Sequence, residues 1–236
     1  MPDKEQVTVQ ALYRPLYAIG EAALLLRTPP QTLRRWLDGA QVGGKSYPPV
    51  IRQYRTGSDE VTWAEFVEAG FLREYRAKDV SLQSLRPLID HLRDKFQVPY
   101  PLAHFKPRVD PAGKELVFEL QQLVGLADEL VLVRRTGREG HWQLQWAEPV
   151  EAFLEKVDFD AHGVAERLWP EGKSSPIAID PDLSFGIPQI HGIRTEIIAE
   201  AAEAGEGAES IARSWNLDVD EVRAAIEWEK QLRPVA

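Results

Sequence analysis

Two adjacent prolines, Pro29 and Pro30, interrupt a run of helical periodicity near the start of this 236-residue chain and impose a helix, a break and a second helix. Ahead of them Ile19, Ala22, Ala23 and Leu26 recur at helical spacing and give the first helix one apolar face, which Arg27-Thr28 ends. Thr28-Pro29-Pro30-Gln31 then starts the next helix: Thr28 caps, Pro29 lies where a missing N–H is harmless, and Gln31 completes a capping box. That helix turns Leu33, Trp36 and Leu37 to the core and stops at Gly39. Gln31, Thr32, Arg34 and Arg35 point elsewhere. Two helices joined by a short turn, the second with a polar, arginine-rich N-terminal face, have the geometry that enters a DNA major groove. There Arg and Gln pair bidentately with guanine and adenine edges. An ordinary helical hairpin has the same outline, and the clustered positive charge is what favours DNA.

Net charge argues against DNA until the chain is divided. The whole sequence carries −9, yet residues 1–110 hold 16 Lys/Arg against 13 Asp/Glu, and residues 111–236 hold 12 against 24. Between positions 27 and 55, Arg27, Arg34, Arg35, Lys45, Arg52 and Arg55 face one acid, Asp38. A basic face neutralises phosphates. The acidic half is repelled by nucleic acid, and either attracts a basic protein or merely solvates its surface. No apolar run approaches the roughly 20 residues that cross a bilayer. The polar, acidic start, Met1 to Gln10, lacks a secretory signal. The absence of cysteine excludes disulfides, thiolate metal sites and thiol nucleophiles, and fits a reducing, cytoplasmic compartment.

Beyond Gly43-Gly44, the basic and partly β-prone segment Tyr47 to Arg55 suits a hairpin wing, with Arg52 and Arg55 reaching backbone phosphates. Thr62 and Glu65 form a capping box, with Val61 stapling Phe66, ahead of an apolar set that continues through Phe71, Leu72 and Tyr75. Ser81 starts a further helix, with Val80 placed to staple Leu85 and with Leu82, Leu85, Leu88, Ile89, Leu92 and Phe96 inward. Four prolines between Val98 and Pro111 predict an extended connector. β-like runs follow at 115–120, 129–135, 141–146 and 163–169, and the turn in Arg134 to Gly140 is either a basic wing or a solvated loop. After the Pro/Gly/Ser-rich segment Pro170 to Pro188, one helix runs from near Thr195 to Ala204 and stops at Gly205, a second carries Ile211, Ala212 and Trp215, and Asp218 with Glu221 opens a third. The expected fold class is α+β, mostly helical. Its expected parts are a DNA-binding domain over 1–97, a linker and β-containing middle region over 98–180, and a trihelical domain over 181–236. That last trio has a helix-turn-helix outline, but its acidic surface points to protein contact or packing and away from DNA.

Tyr17-Ala18-Ile19-Gly20-Glu21-Ala22-Ala23, followed by Thr32-Leu33-Arg34-Arg35-Trp36 and by Val80 to Arg86, resembles the MerR-type winged helix-turn-helix. Residue by residue, the resemblance implies DNA contacts at Thr32, Arg34 and Arg35 and a wing around Arg52 and Arg55; Thr28 and Gln31 at the helix start complete the candidate set. The double proline departs from the family pattern, and the cysteine effector sites of its metal sensors are absent. Phe185-Gly186-Ile187-Pro188-Gln189-Ile190-His191-Gly192-Ile193-Arg194-Thr195 is similar to a small bacterial antitoxin-like family once classed as a domain of unknown function, with Ile193 in place of its usual threonine. A MerR-like head with this tail resembles the VapB-type antitoxins. What that implies is a type II antitoxin that neutralises a PIN-like ribonuclease toxin and represses its own operon, a homodimer on operator DNA. A stand-alone MerR-like regulator binding a small effector is the alternative.

No catalytic arrangement is visible, and the sequence implies neither enzyme nor cofactor. His91, His104, His141, His162 and His191 lack metal-ligand spacing, and no phosphate-binding glycine loop or nucleophile elbow occurs. Alternation along 157–162 would place Asp158, Asp160 and His162 on one strand face, either a weak metal site or a solvated surface.

Overall fold

A computed structural model of the chain describes residues 12–76, 85–104, 121, 132–138, 141–161 and 163–232. The expected helix start at Ser81, the β-like run 115–120 and His162 lie outside these residues. The fold is α+β, with helices joined by small two-stranded antiparallel sheets. No helix among the described residues is long and apolar enough to cross a membrane. Two compact units emerge: Met1–Leu154 with Phe159–Ala165, and Glu155–Asp158 with Glu166–Ala236.

In the first unit, strand β1 (Pro15–Ala18) pairs antiparallel with β4 (Glu60–Thr62), Tyr17 opposite Val61. Helix α1 (Ile19–Leu25) begins where the Ala18 N–H is taken by Glu21 Oε2 at 2.8 Å, and buries Ile19, Ala22 and Ala23. Helix α2 (Pro30–Asp38) buries Leu33, Trp36 and Leu37. It starts one residue later than expected. Pro30 occupies the first helical turn, Pro29 stands at the cap, and the Thr28 hydroxyl donates to the Leu26 carbonyl at 3.2 Å without capping α2.

Gly39 ends α2 with φ +72°, and a Cβ there would collide with the Tyr47 carbonyl and the Pro48–Pro49 backbone. Only glycine satisfies both demands. The chain then forms the hairpin β2 (Ala40–Val42) and β3 (Lys45–Tyr47), turned by Gly43 and Gly44, both left-handed. Here the sequence reading is corrected: the hairpin precedes Pro48, and Arg52 and Arg55 lie in irregular chain after it. Helix α3 (Trp63–Arg76) opens with the expected capping box. Thr62 N–H donates to Glu65 Oε2 at 2.9 Å, and Glu65 N–H donates to Thr62 Oγ1 at 3.3 Å.

Trp63 and Phe66 on α3 are fully buried and stacked at 5.6 Å, with Tyr17 against Phe66 at 4.8 Å. Burial of each such ring is worth about 2–3 kcal/mol. Helix α4 (Arg86–Phe96) buries Leu88, Ile89 and Leu92, and α5 (Glu148–Leu154) sets Phe153 edge-on to Phe71 at 5.4 Å. Strands β5 (Val133–Arg138) and β6 (His141–Trp146) form the middle hairpin.

The division between units falls within the short paired strands β7 (Val157–Phe159) and β8 (Ala165–Leu168). In the second unit, the hairpin β9 (Gln189–Ile190) and β10 (Ile193–Arg194) turns through left-handed His191 and Gly192. Helices α6 (Thr195–Glu203), α7 (Ala208–Trp215) and α8 (Val219–Leu232) follow. Ile198, Ile211, Val222, Ala225 and Trp228 are their buried centre. Thr195 ties the start of α6 to both neighbours, since its hydroxyl lies 3.2 Å from the Pro188 carbonyl and 2.5 Å from Glu229 Oε1 on α8.

Candidate nucleic-acid interface

Helical periodicity on α2 sends Leu33, Trp36 and Leu37 inward, so Gln31, Arg34 and Arg35 emerge together on the opposite side, with Thr32 half-buried beside them. Among the described residues Arg34 forms an ion pair with Asp59 alone, and it lies in solvent: the two side chains are 48% and 74% exposed. An exposed pair of this kind is worth about 0–1 kcal/mol and yields readily to a phosphate or a guanine edge. Arg55 is also exposed, with its Nε donating to the Asp38 carbonyl at 3.2 Å. The β2–β3 hairpin adds Lys45 and the exposed side chains of Val42 and Tyr47.

Arg52 has a different fate. Its side chain is 4% exposed and bridges two carboxylates: Nη1 meets Asp38 Oδ1 at 3.0 Å, and Nε meets Glu65 Oε1 at 2.7 Å. Nη2 adds bonds to Glu65 Oε2 and to the Glu60 carbonyl, while Nη1 reaches Thr56 Oγ1. Every donor is thus committed inside the unit, so Arg52 fastens the end of α2 to the start of α3 and does not reach a phosphate. Burial drives the Asp38 carboxyl upward, but the N–H groups of Thr56 and Gly57 together with Arg52 outweigh it and hold the group below its ordinary range. Thr28, also buried, lies in the link between α1 and α2.

A second layer of buried polar groups lies behind this bridge. Arg93 is 3% exposed, donates from Nε to the Pro99 carbonyl at 2.8 Å, and pairs with Asp90 at 2.7 Å. Tyr100 donates its hydroxyl to Glu65 Oε1 at 2.9 Å. Glu68 is fully buried; Oε1 accepts the Leu102 N–H at 2.9 Å, and Oε2 has no hydrogen-bond partner among the described residues. Burial pushes the Glu68 carboxyl up to about 8, against the opposing pull of Arg93. The scaffold beneath the α2 face is therefore fixed by ion pairs and hydrogen bonds, while the face itself stays exposed.

Asp158 and Asp160, the two described acids of the expected strand-face cluster, each have partners of their own. Asp158 accepts the Trp169 indole N–H at 2.7 Å and pairs with Lys173 at 2.6 Å, and Asp160 accepts the Val164 N–H at 2.9 Å. Among the described residues no group of three or more His, Asp or Glu is placed to hold a metal ion.

Sequence reasoning missed the β2–β3 hairpin as an exposed element, although Gly43-Gly44 between short alternating segments is the usual signal for one. It also missed Asp38 and Glu65 as the partners of Arg52, which nothing local announces.

No protein-family model matches the sequence. The chain is 31% identical over 234 residues to the uncharacterized protein Rv2308 of Mycobacterium tuberculosis, covering 94% of this chain and 93% of that one. It is 27% identical to a protein of the same organism named "Putative antitoxin VapB45", over 90% of this chain and 93% of the other. Among solved structures, the X-ray crystal structure of Rv2018 from M. tuberculosis matches with a TM-score of 0.70 and 27% identity, over 90% of this chain and 98% of that one.

Proposed function

Because this chain belongs to the family of the M. tuberculosis protein Rv2308, with a protein named "Putative antitoxin VapB45" among its relatives, we propose that it is the antitoxin of a type II toxin–antitoxin pair. In this reading α2 enters the major groove of the operator upstream of its own gene. Arg34 and Arg35 read guanine edges, Gln31 and Thr32 flank them, and Arg55 and Lys45 hold phosphates. The single observation that carries the DNA half of the proposal is the joint exposure of Gln31, Arg34 and Arg35 on one short helix over a rigid base.

The toxin half draws on charge. The second unit carries 16 Asp/Glu against 8 Lys/Arg, suited to a basic partner and unsuited to DNA. A PIN-like ribonuclease, whose RNA-binding groove must be basic, is that partner. Two-fold operators call for a homodimer, and the pair acts in the cytoplasm.

The test is growth rescue. Expression of the ribonuclease encoded beside this gene should arrest growth, and co-expression of this chain should restore it. Arrest that persists despite accumulation of the folded chain would contradict the proposal.

A further inference from the structure

The second unit displays an aromatic residue on a backbone that ordinary side chains avoid. Leu183 and Phe185 are 42% and 69% exposed, and Ser184, Phe185 and Gly186 take φ of 50°, 56° and 74° in succession. A left-handed backbone is unfavourable for a bulky residue and persists only where its surroundings over-determine it. Buried Asp180 supplies that constraint. Its Oδ1 accepts the N–H of Asp182 at 2.9 Å and of Leu183 at 3.3 Å, and its carbonyl accepts the Gly186 N–H at 3.0 Å. Arg167 then clamps Oδ2 through Nε at 3.1 Å and Nη2 at 2.9 Å.

Beside the loop opens a cleft of about 680 Å³, with Leu183, Trp169 and Pro176 in its walls. The cations there are already matched, Arg167 to Asp180 and Lys173 to Asp158, and the His191 ring lies 2.8 Å from Glu221 Oε1. Asp220 at the cleft is matched by Arg223 at 3.0 Å, so the acidic character beside Leu183 comes from exposed Asp182 and from the unit's excess of 16 Asp/Glu over 8 Lys/Arg. A rigid apolar knob inside an acidic border matches a basic protein surface, and it repels both nucleic acid and a second copy of the same acidic unit.

We propose that Leu183 and Phe185, held out by the Asp180–Arg167 clamp, anchor the basic ribonuclease toxin on this unit. The inference rests on the antitoxin reading and adds to it the surface that does the binding. The loop is preorganised, so the anchor meets its partner with little ordering left to do.

The experiment measures the affinity of the full chain for the purified ribonuclease encoded beside its gene, for the wild type, Phe185→Gly and Asp182→Lys. Melting temperature and sedimentation of each chain alone accompany it. Phe185→Gly should weaken the complex roughly 30-fold, the loss typical of a central anchor. Its melting temperature should stay level or rise, because glycine relieves the left-handed backbone. Asp182→Lys should slow association and flatten its salt dependence. Wild-type affinity in Phe185→Gly, beside a wild type that binds, would overturn this surface and leave the antitoxin reading standing. A wild type that fails to bind the ribonuclease would overturn both. A fall in melting temperature in parallel with the affinity would assign the loop a structural role and overturn the proposal. A change only in the chain's own oligomeric state would do so too, by making a second copy the occupant.

Discussion

Arg34 and Arg52 carry the same guanidinium into opposite surroundings. Asp59 holds Arg34 in solvent, where the pair contributes little and can be exchanged. Asp38 and Glu65 hold Arg52 out of water, where loss of one partner strands the others. Arg52→Ala should therefore lower the stability of the chain by about 3–5 kcal/mol in urea unfolding, the size expected when buried carboxylates lose their cation. A change near zero would place Arg52 outside the buried bridge. Glu68 gives a prediction in pH. Its carboxyl is pushed from 4.5 to about 8 in the folded chain, so the folded state binds the proton more tightly than the unfolded one. The stability this contributes is complete below about pH 4.5 and is lost as the pH rises through about 8. Among the described residues, Glu65, Arg93, Tyr13 and Tyr100 are the charged or titratable groups that interact with it. Glu68→Gln cannot ionise. The stability of the variant relative to wild type should rise between pH 5 and 9, by on the order of a few kcal/mol. Parallel curves would show that Glu68 does not titrate there.

Helix starts and stops were largely legible, because they depend on residues a few positions apart. The Thr62–Glu65 box, the Gly39 stop and the Gly205 stop follow from local backbone chemistry alone. Gly39 also carries a constraint that the sequence does not reveal, the close approach of the Tyr47–Pro49 backbone. Gly39→Ala should consequently destabilise the chain beyond the roughly 1 kcal/mol of a left-handed alanine, and a thermal shift of a few degrees or more should report it. An unchanged melting temperature would deny that approach. What stayed hidden was long-range. Arg52 looks like a phosphate contact in a basic segment because Asp38 and Glu65 stand 14 and 13 positions away, and a charge count does not show who pairs with whom. The left-handed Phe185 was equally invisible, since neither Gly nor Asn marks the position.

At the level of the molecule, the formal charge of −9 conceals two surfaces of different character. The first unit is close to neutral, 20 Lys/Arg against 21 Asp/Glu, and buries some of both signs beneath the α2 face. The DNA binding proposed for it would then rest on a local patch and not on a general field, which limits the number of phosphates engaged. The second unit holds the acidic excess together with the Leu183–Phe185 loop. The most direct test measures binding of the full chain to the DNA upstream of its own gene across a salt series, for wild type, Arg34→Ala, Arg35→Ala and Arg52→Ala. The account predicts that wild type prefers this DNA over unrelated sequence. Arg34→Ala and Arg35→Ala should each lose about 1–3 kcal/mol together with that preference, while Arg52→Ala loses binding only where it unfolds. Equal affinity for all DNA, or binding indifferent to both α2 arginines in a folded chain, would contradict it.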